Sequence, residues 1–515
     1  MVKLQIVIST TKIGAFLMIS QANLHSFDEI TKTIKDKKDT ISDTLFDMIR
    51  PFAIGTLASK SNIVKEKGFR PGYLITLLML FPFFNISAVR SFFLSGYAHL
   101  SEAQKDTVFR LKNNPMFNWR RFLYLVAKRF IVLADDNSKG SCSVDKTKVS
   151  RGKPTCMILD DTLQPKRGKK IEGIGRVYDH VTHRSVLGFK NLVLAFWDGV
   201  STIPLDFSFQ SEQGKNKNRP FGLTFKEIKA RYLKERSQDS HGFQRLSETT
   251  IDKITNGLDM IKRALRYSFI PDYVLVDSWF SSHRFIKSIR SFRKGAIHFL
   301  GQVRMDKRKY EYQGERFTGK ELKHRLKKKA KRSRRFNARY IEVLVHYQGI
   351  GEVKLFFSRF TKQGTWHLLL TTNKKLTYNE ALKLYNVRWS IEVLFKELKQ
   401  HLNFGKCQSN DFDAHIADTT ISLVTHTILS MYKRIHDYIP LGQIFGKFRE
   451  ILLQTTLAKR LWNLFLTVVT SLIQVLDLKQ DVEELIQKVL NSDRAKIMLE
   501  NLIGRSTQDQ ICATI

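Results

Sequence analysis

An α/β core flanked by helical regions at both ends is the fold class this sequence predicts, and three observations predict it. Residues 1–148 place apolar side chains at helical spacing. From residue 149 the apolar runs become short, rich in β-branched and aromatic residues, and bounded by turn formers. Beyond about residue 377 helical spacing returns and holds to the end. These shifts divide the chain into a helical region 1–148, an α/β region 149–410 with a β-rich insertion at about 300–374, and a helical region 411–515.

The elements follow in order. Helical spacing covers Ser26–Leu57, and the stretch 101–113 reads as a helix with Ser101 as its cap. The apolar run Tyr73–Val89 is interrupted by Pro82 and Asn85, which predicts a pair of core helices rather than a membrane span. Trp119–Phe130 is amphipathic with basic residues on its polar side, and the Gly-, Ser- and Lys-rich segment 135–154 reads as a linker. A strand at CMILDDT, a hairpin over SVLGFKNLVLAFWDG and STIPLDFSF, and a strand at DYVLVD come next, with a helix before the last. The intensely basic segment 320–339 is expected to lie along a phosphate backbone as a helix or to be solvated, and strands follow across 341–372.

Charge narrows the partners. The 515 residues include 86 Lys and Arg against 48 Asp and Glu, a formal net charge of +38. An excess of that size repels itself in a compact chain unless a polyanion neutralises it, and nucleic acid is the commonest polyanion. The four cysteines, Cys142, Cys156, Cys407 and Cys512, are too scattered for a zinc knuckle or a disulfide framework, which suits a reducing cytoplasm. The first twenty residues are only faintly like a secretion signal, because Lys12 and several threonines break the apolar run.

Two predicted strands end in acids, Asp160-Asp161 and Asp277, and strand ends are where α/β sheets collect catalytic groups. A third acid comes from Leu384–Leu402, which has no Gly or Pro and reads as one helix. At 100° per residue, Tyr385, Arg388, Glu392 and Lys399 fall within about 60° of one another. Leu384, Val387, Ile391, Leu394, Leu398 and Leu402 form the neighbouring core-facing stripe. One edge of that helix thus carries a phenol, a guanidinium, a carboxylate and an ammonium.

This spacing, Tyr385, Arg388, Glu392 and Lys399 preceded by Asp161-Thr162 and then Asp277, resembles the insertion-sequence DDE transposases that bear a Tyr-Arg-Glu-Lys signature. The resemblance covers about 155–405. It implies an RNase H-like catalytic core with a β-rich insertion between the second and third acids. It also implies that Asp161, Asp277 and Glu392 are catalytic and hold Mg²⁺ or Mn²⁺. Adjacent strand residues point to opposite faces, so one aspartate of the pair can readily face a metal; the Asp-Thr pairing favours Asp161, with Asp160 the alternative.

Tyr385, Arg388 and Lys399 are then expected to hold DNA phosphates, and Trp366 matches a tryptophan that stacks on a flipped-out base in some relatives. The implied activity is excision and insertion of an element by metal-dependent cutting and joining of its ends. The implied setting is cytoplasmic and nucleoid-associated, with double-stranded DNA as partner, a homodimer in the synaptic complex and no membrane. The helical region 1–148 is the expected DNA-binding part, and 411–515 the expected dimer contact. A DNA-binding protein that keeps the fold without catalysis, or a metal-dependent nuclease, would share most of these features.

Overall fold

The structure is a computed structural model, and it describes residues 48–140, 153–214, 216–435, 439–450 and 452–453. The signal-like first twenty residues, most of Ser26–Leu57, residues 141–152 of the expected linker, Cys142, Cys512 and most of 411–515 lie outside the described residues. All elements below belong to one compact unit, Phe46–Arg449.

Five helices come first: α1 (Ile54–Lys60), α2 (Pro71–Leu80), α3 (Val89–Leu94), α4 (Lys105–Lys112) and α5 (Trp119–Gly140). The apolar run at 73–89 forms α2 and a 3₁₀ turn, Phe81–Phe84, and reaches the start of α3, with no span across a bilayer. No helix among the described residues is long and apolar enough to cross a membrane. Ser101 does not cap α4; Gln104 precedes it, and the Ser101 hydroxyl instead donates to the Ala103 carbonyl. Helix α5 runs on into the segment expected as linker, to Gly140, because nothing in that stretch breaks a helix before the glycine.

The sheet elements are β1 (Cys156–Pro165), β2 (Gly175–Asp179), β3 (Arg184–Trp197) and β4 (Thr202–Gln210). Helices α6 (Phe225–Lys229), α7 (His241–Ser247) and α8 (Lys253–Arg266) precede β5 (Tyr273–Val276), and α9 (His283–Ser291) precedes β6 (His298–Val303). Then come β7 (Lys309–Tyr312), β8 (Glu315–Thr318), α10 (Gly319–Arg325), β9 (Lys331–Ser333), β10 (Ala338–Tyr347), β11 (Gly351–Arg359) and β12 (His367–Thr371). Three helices follow, α11 (Tyr378–Asn386), α12 (Ser390–His401) and α13 (Phe412–Ile435), and residues 441–450 are helical as well.

All twelve strands join one mixed sheet, ordered β2-β3-β1-β5-β6-β12-β11-β10-β7-β8, with β4 on β3 and β9 on β10. Strands β1, β5 and β6 are parallel, whereas β3 is antiparallel to β1 and to β4. The parallel centre is apolar on both faces, as helices on both sides require: Cys156–Leu159 and Tyr273–Val276 are buried throughout. The strands of the expected insertion extend this same sheet rather than forming a layer of their own. The basic segment 320–339 is not one helix: it divides into nearly all of α10, a 3₁₀ turn at Lys327–Lys329, and strand β9 hydrogen-bonded to β10. Pairing with β10 satisfies backbone groups that a run of like charges would leave to water.

Candidate active site

Strand β1 presents its residues alternately to two layers of helix. Leu159 meets α8 so closely that a Cβ at Gly257 would come within 2.5 Å of Leu159 Cδ2. Asp161, two residues on, points the same way, and its Oδ2 receives the Lys253 ammonium at the start of α8 at 2.8 Å. Asp160 points to the other face, where α12 packs on β1 and β4. The start of α12 is pinned there by a hydrogen bond of 2.7 Å from the Thr202 hydroxyl to that of Ser390.

The expected single helix over Leu384–Leu402 is broken. Helix α11 ends at Asn386, Val387–Trp389 form a 3₁₀ turn, and α12 begins at Ser390. The tighter turn rotates about 120° per residue instead of 100°, so the residues before and after it shift in phase. Val387, placed on the core stripe by a regular helix, is accordingly only half-buried, while Leu384, Ile391, Leu394, Leu398 and Leu402 are buried as expected. Arg388 sits within this turn. Its guanidinium bridges two acids, donating to Asp160 Oδ2 at 2.9 Å and to Glu392 Oε1 at 2.8 Å. The Tyr385 ring lies 5.7 Å from the guanidinium carbon and supports it from behind.

Asp277 follows β5 directly, and its Oδ1 accepts the backbone N–H groups of Trp279 at 2.9 Å and Phe280 at 3.3 Å, which fix the carboxylate at the strand end. Burial, and then the neighbouring Asp277 charge, push the Asp160 carboxyl up to about 7 against the pull of Arg388. Burial likewise raises the Tyr385 phenol and lowers the Lys399 ammonium from their ordinary values.

Asp160, Asp161, Asp277, Arg388, Glu392 and Lys399 line one open cleft of about 460 Å³, together with Lys396 and Phe395. Tyr385 stands behind Arg388, whereas Trp366 is not part of the cleft lining and stacks instead under Arg359, 5.2 Å from its ring. Sequence reasoning gave no site role to four side chains here: Lys396 in the lining, Lys253 on Asp161, and two exposed tryptophans. Trp279 is 43% exposed beside Asp277, with the Lys253 ammonium 4.9 Å from its ring, and Trp389 is 61% exposed next to Arg388. A readable signal existed, since each tryptophan lies within two residues of a site residue.

Hard carboxylate oxygens at two strand ends and on one helix are the donor chemistry that Mg²⁺ and Mn²⁺ prefer. Among the described residues, no three acid, His or Cys side chains already stand close enough together to hold an ion. The Arg388 bridge explains this in part, because a guanidinium spans Asp160 and Glu392. The residue types fit a divalent cation, and the arrangement is one in which Arg388 supplies the positive charge.

Residues 235–428 match the family model of the transposase DDE domain. The match includes Asp277, Tyr385, Arg388, Glu392 and Lys399 and begins after β1. No curated protein matches the chain. The domain match supports a DDE transposase, with DNA as the partner such a domain implies.

Proposed function

We propose that this chain cuts and joins the ends of a DNA element by phosphoryl transfer, with Asp160, Asp277 and Glu392 as the metal-holding acids of an RNase H-like core. The observation that carries the reading is the convergence of a β1 aspartate, the β5-end aspartate and the helical glutamate on one open cleft. The RNase H-like reading is supported by the parallel strands β1 and β5, each ending in acid, with an acid-bearing helix packed on β1. Asp160 takes the first position because it shares Arg388 with Glu392 and feels the Asp277 charge, while Asp161 is tied to Lys253.

Bound Mg²⁺ or Mn²⁺ would supply Lewis acidity toward the scissile phosphate and lower the pKa of an attacking water. The residues do the rest. Asp160, Asp277 and Glu392 are acceptor-only groups once ionised, so they offer lone pairs to the cation and repel a phosphate until it is present. Arg388 is placed to release its acids and turn its planar fork to a non-bridging phosphate oxygen pair, with Tyr385 behind it limiting its rotamers. Lys396 and Lys399, one turn apart along α12, offer point charges to the neighbouring backbone phosphates. Trp279 and Trp389 offer exposed rings on which an unpaired base next to the cut can stack. Trp366 remains assigned to base stacking by resemblance, and two copies holding two ends complete the reading.

The experiment is strand cleavage on DNA carrying the element's ends, with Mg²⁺. The parent protein nicks and joins; Asp277→Asn and Glu392→Gln lose at least about a thousandfold in rate, as removal of a group that acts with others does. Equal cutting by these variants overturns the reading. Cleavage without any joined product favours a nuclease instead.

A further inference from the structure

A second charged cluster lies at the other end of α8, and in it guanidinium groups outnumber carboxylates. Asp206 on β4 is fully buried and receives three guanidinium groups: Arg120 Nε at 2.8 Å, Arg263 Nε at 2.8 Å and Arg245 Nη1 at 3.4 Å. Glu248 takes Arg120 Nη2 at 2.7 Å and lies 3.7 Å from Arg263 Nη1. Three buried or half-buried arginines therefore share two carboxylates.

The donors are not all used. Arg245 Nε, Arg245 Nη2, Arg263 Nη2 and the Trp119 indole N–H are buried without a hydrogen-bond partner. Arg245 is only 4% exposed, its guanidinium resting 4.1 Å from the Phe207 ring. These residues border a cavity of about 420 Å³ between the starts of α5 and α13, helix α7 and the end of α8. Arg120, Arg245, Arg263, Arg266, His241 and Trp119 line it. Asp413 also reaches the wall, but Lys234 at 2.9 Å and Arg236 at 3.0 Å already engage its carboxylate.

An uncompensated guanidinium inside a protein is strongly destabilising, and a buried N–H without an acceptor adds to that cost. We infer that this cavity is a binding site for a phosphate group, held by Arg245, Arg263 and Arg266 with the Trp119 N–H. A phosphate brings two or more acceptor oxygens and the missing negative charge, and Arg is the side chain whose fork fits it. The cavity volume lies in the range of small-ligand pockets, so a phosphate with an attached sugar fits as well as a free one. Burial, and then the Arg120 charge, push the Arg245 guanidinium down to about 9, the direction expected of a cation short of anions. The site stands apart from the cleft: α8 carries Lys253 at its first position and Arg266 at its last, about 20 Å away at 1.5 Å per residue. It does not depend on the chemistry proposed for the cleft.

The test is thermal unfolding of the full chain with inorganic phosphate at millimolar concentration, ionic strength being matched with chloride. Phosphate is expected to raise the Tm of the parent in proportion to ln(1 + [phosphate]/Kd), and Arg245→Met is expected to abolish that rise. Arg266→Gln, at an exposed position on the rim, is expected to leave the phosphate-free Tm unchanged and weaken phosphate about tenfold, which keeps the test open should the Arg245 variant not fold. Lys399→Gln in the catalytic cleft is expected to retain the full response. No rise beyond chloride, or a rise lost in Lys399→Gln and kept in the Arg245 and Arg266 variants, overturns the inference. A short random duplex separates the two sources of phosphate. If saturating duplex removes the phosphate response of the parent, the occupant is a DNA backbone phosphate; if the response persists, it is a free phosphate, and the site stands in both cases.

Discussion

Helix α8 joins two polar clusters of different charge balance. At its first residue Lys253 grips Asp161 on the rim of a cleft where one guanidinium, Arg388, serves Asp160 and Glu392 while Asp277 lies near enough to raise the Asp160 carboxyl. In its last turns Arg263 joins Arg120 and Arg245 around Asp206 and Glu248, where guanidinium groups outnumber carboxylates. A third cluster leans the other way: Arg236 is almost wholly buried and meets Glu172, Asp411 and Asp413, with Lys234 on the two aspartates. A buried charge left short by its own neighbours lowers stability, so its persistence points to something outside the chain that completes it. For the cleft the proposed partner is a cation, and for the cavity the inferred one is an anion.

The sharpest way to break that contrast is at β1. Asp160→Asn is expected to reduce strand cleavage about a thousandfold, as Asp277→Asn does, whereas Asp161→Asn loses less than about tenfold. Single-turnover cleavage rates decide it, and the opposite ranking would move the first acid to Asp161 and leave Asp160 as a structural anchor for Arg388.

Next in size is Asp206→Asn, expected to cost about 3–5 kcal/mol because three guanidinium groups lose their shared counter-ion. Burial alone would push the Asp206 carboxyl up, but the charges of Arg120, Arg263 and Arg245 overcome it and hold the group well below the usual carboxylate range. A folded-state pKa below the unfolded value of about 3.9 stabilises the protein above that pH and ceases to do so as pH falls through the folded value. Denaturant midpoints from pH 7 downward are therefore expected to fall below about pH 4 in the parent, and to fall less in Asp206→Asn. A variant as stable as the parent would show that the cluster tolerates still more positive charge.

The smallest effect concerns the exposed rings. Trp279→Ala and Trp389→Ala are each expected to weaken binding of DNA with an unpaired base at the cut by about 1–3 kcal/mol and to leave fully paired duplex unaffected. Titration of both substrates by fluorescence anisotropy measures this, and an equal loss on both would mean the rings contact backbone instead.

Much of the fold was legible because periodicity is a local property. The runs at 156–162, 273–276, 341–347 and 367–371 became strands, and the hairpin of β3 and β4 formed as its apolar runs and intervening turn predict. Strand β2 escaped notice because its two buried residues are Gly175 and Val177, and a glycine contributes no apolar side chain to the alternation of an edge strand. The basic segment misled for a related reason: composition marks a charged run as surface, but only pairing with β10 decides that part of it is strand.

At the site, residue types and order came from the chain alone: two acids where β-branched runs stop, and a phenol, guanidinium, carboxylate and ammonium in sequence from Tyr385 to Lys399. Which aspartate of the adjacent pair faces α12 could not come from there, since the two differ only in the side of the sheet to which they point. That choice needed Gly257 to bring α8 against Leu159, and a 3₁₀ turn to swing Arg388 between Asp160 and Glu392. The arginine cavity was wholly hidden, because Arg120, Asp206, Arg245 and Arg263 lie on four separate elements and each alone resembles an ordinary surface charge. Sequence determines which groups are available and where strands and helices begin to favour themselves; the packed tertiary structure decides which charges meet and which are left wanting, because electrostatic balance depends on distances between residues remote in the chain and on the water that packing removes.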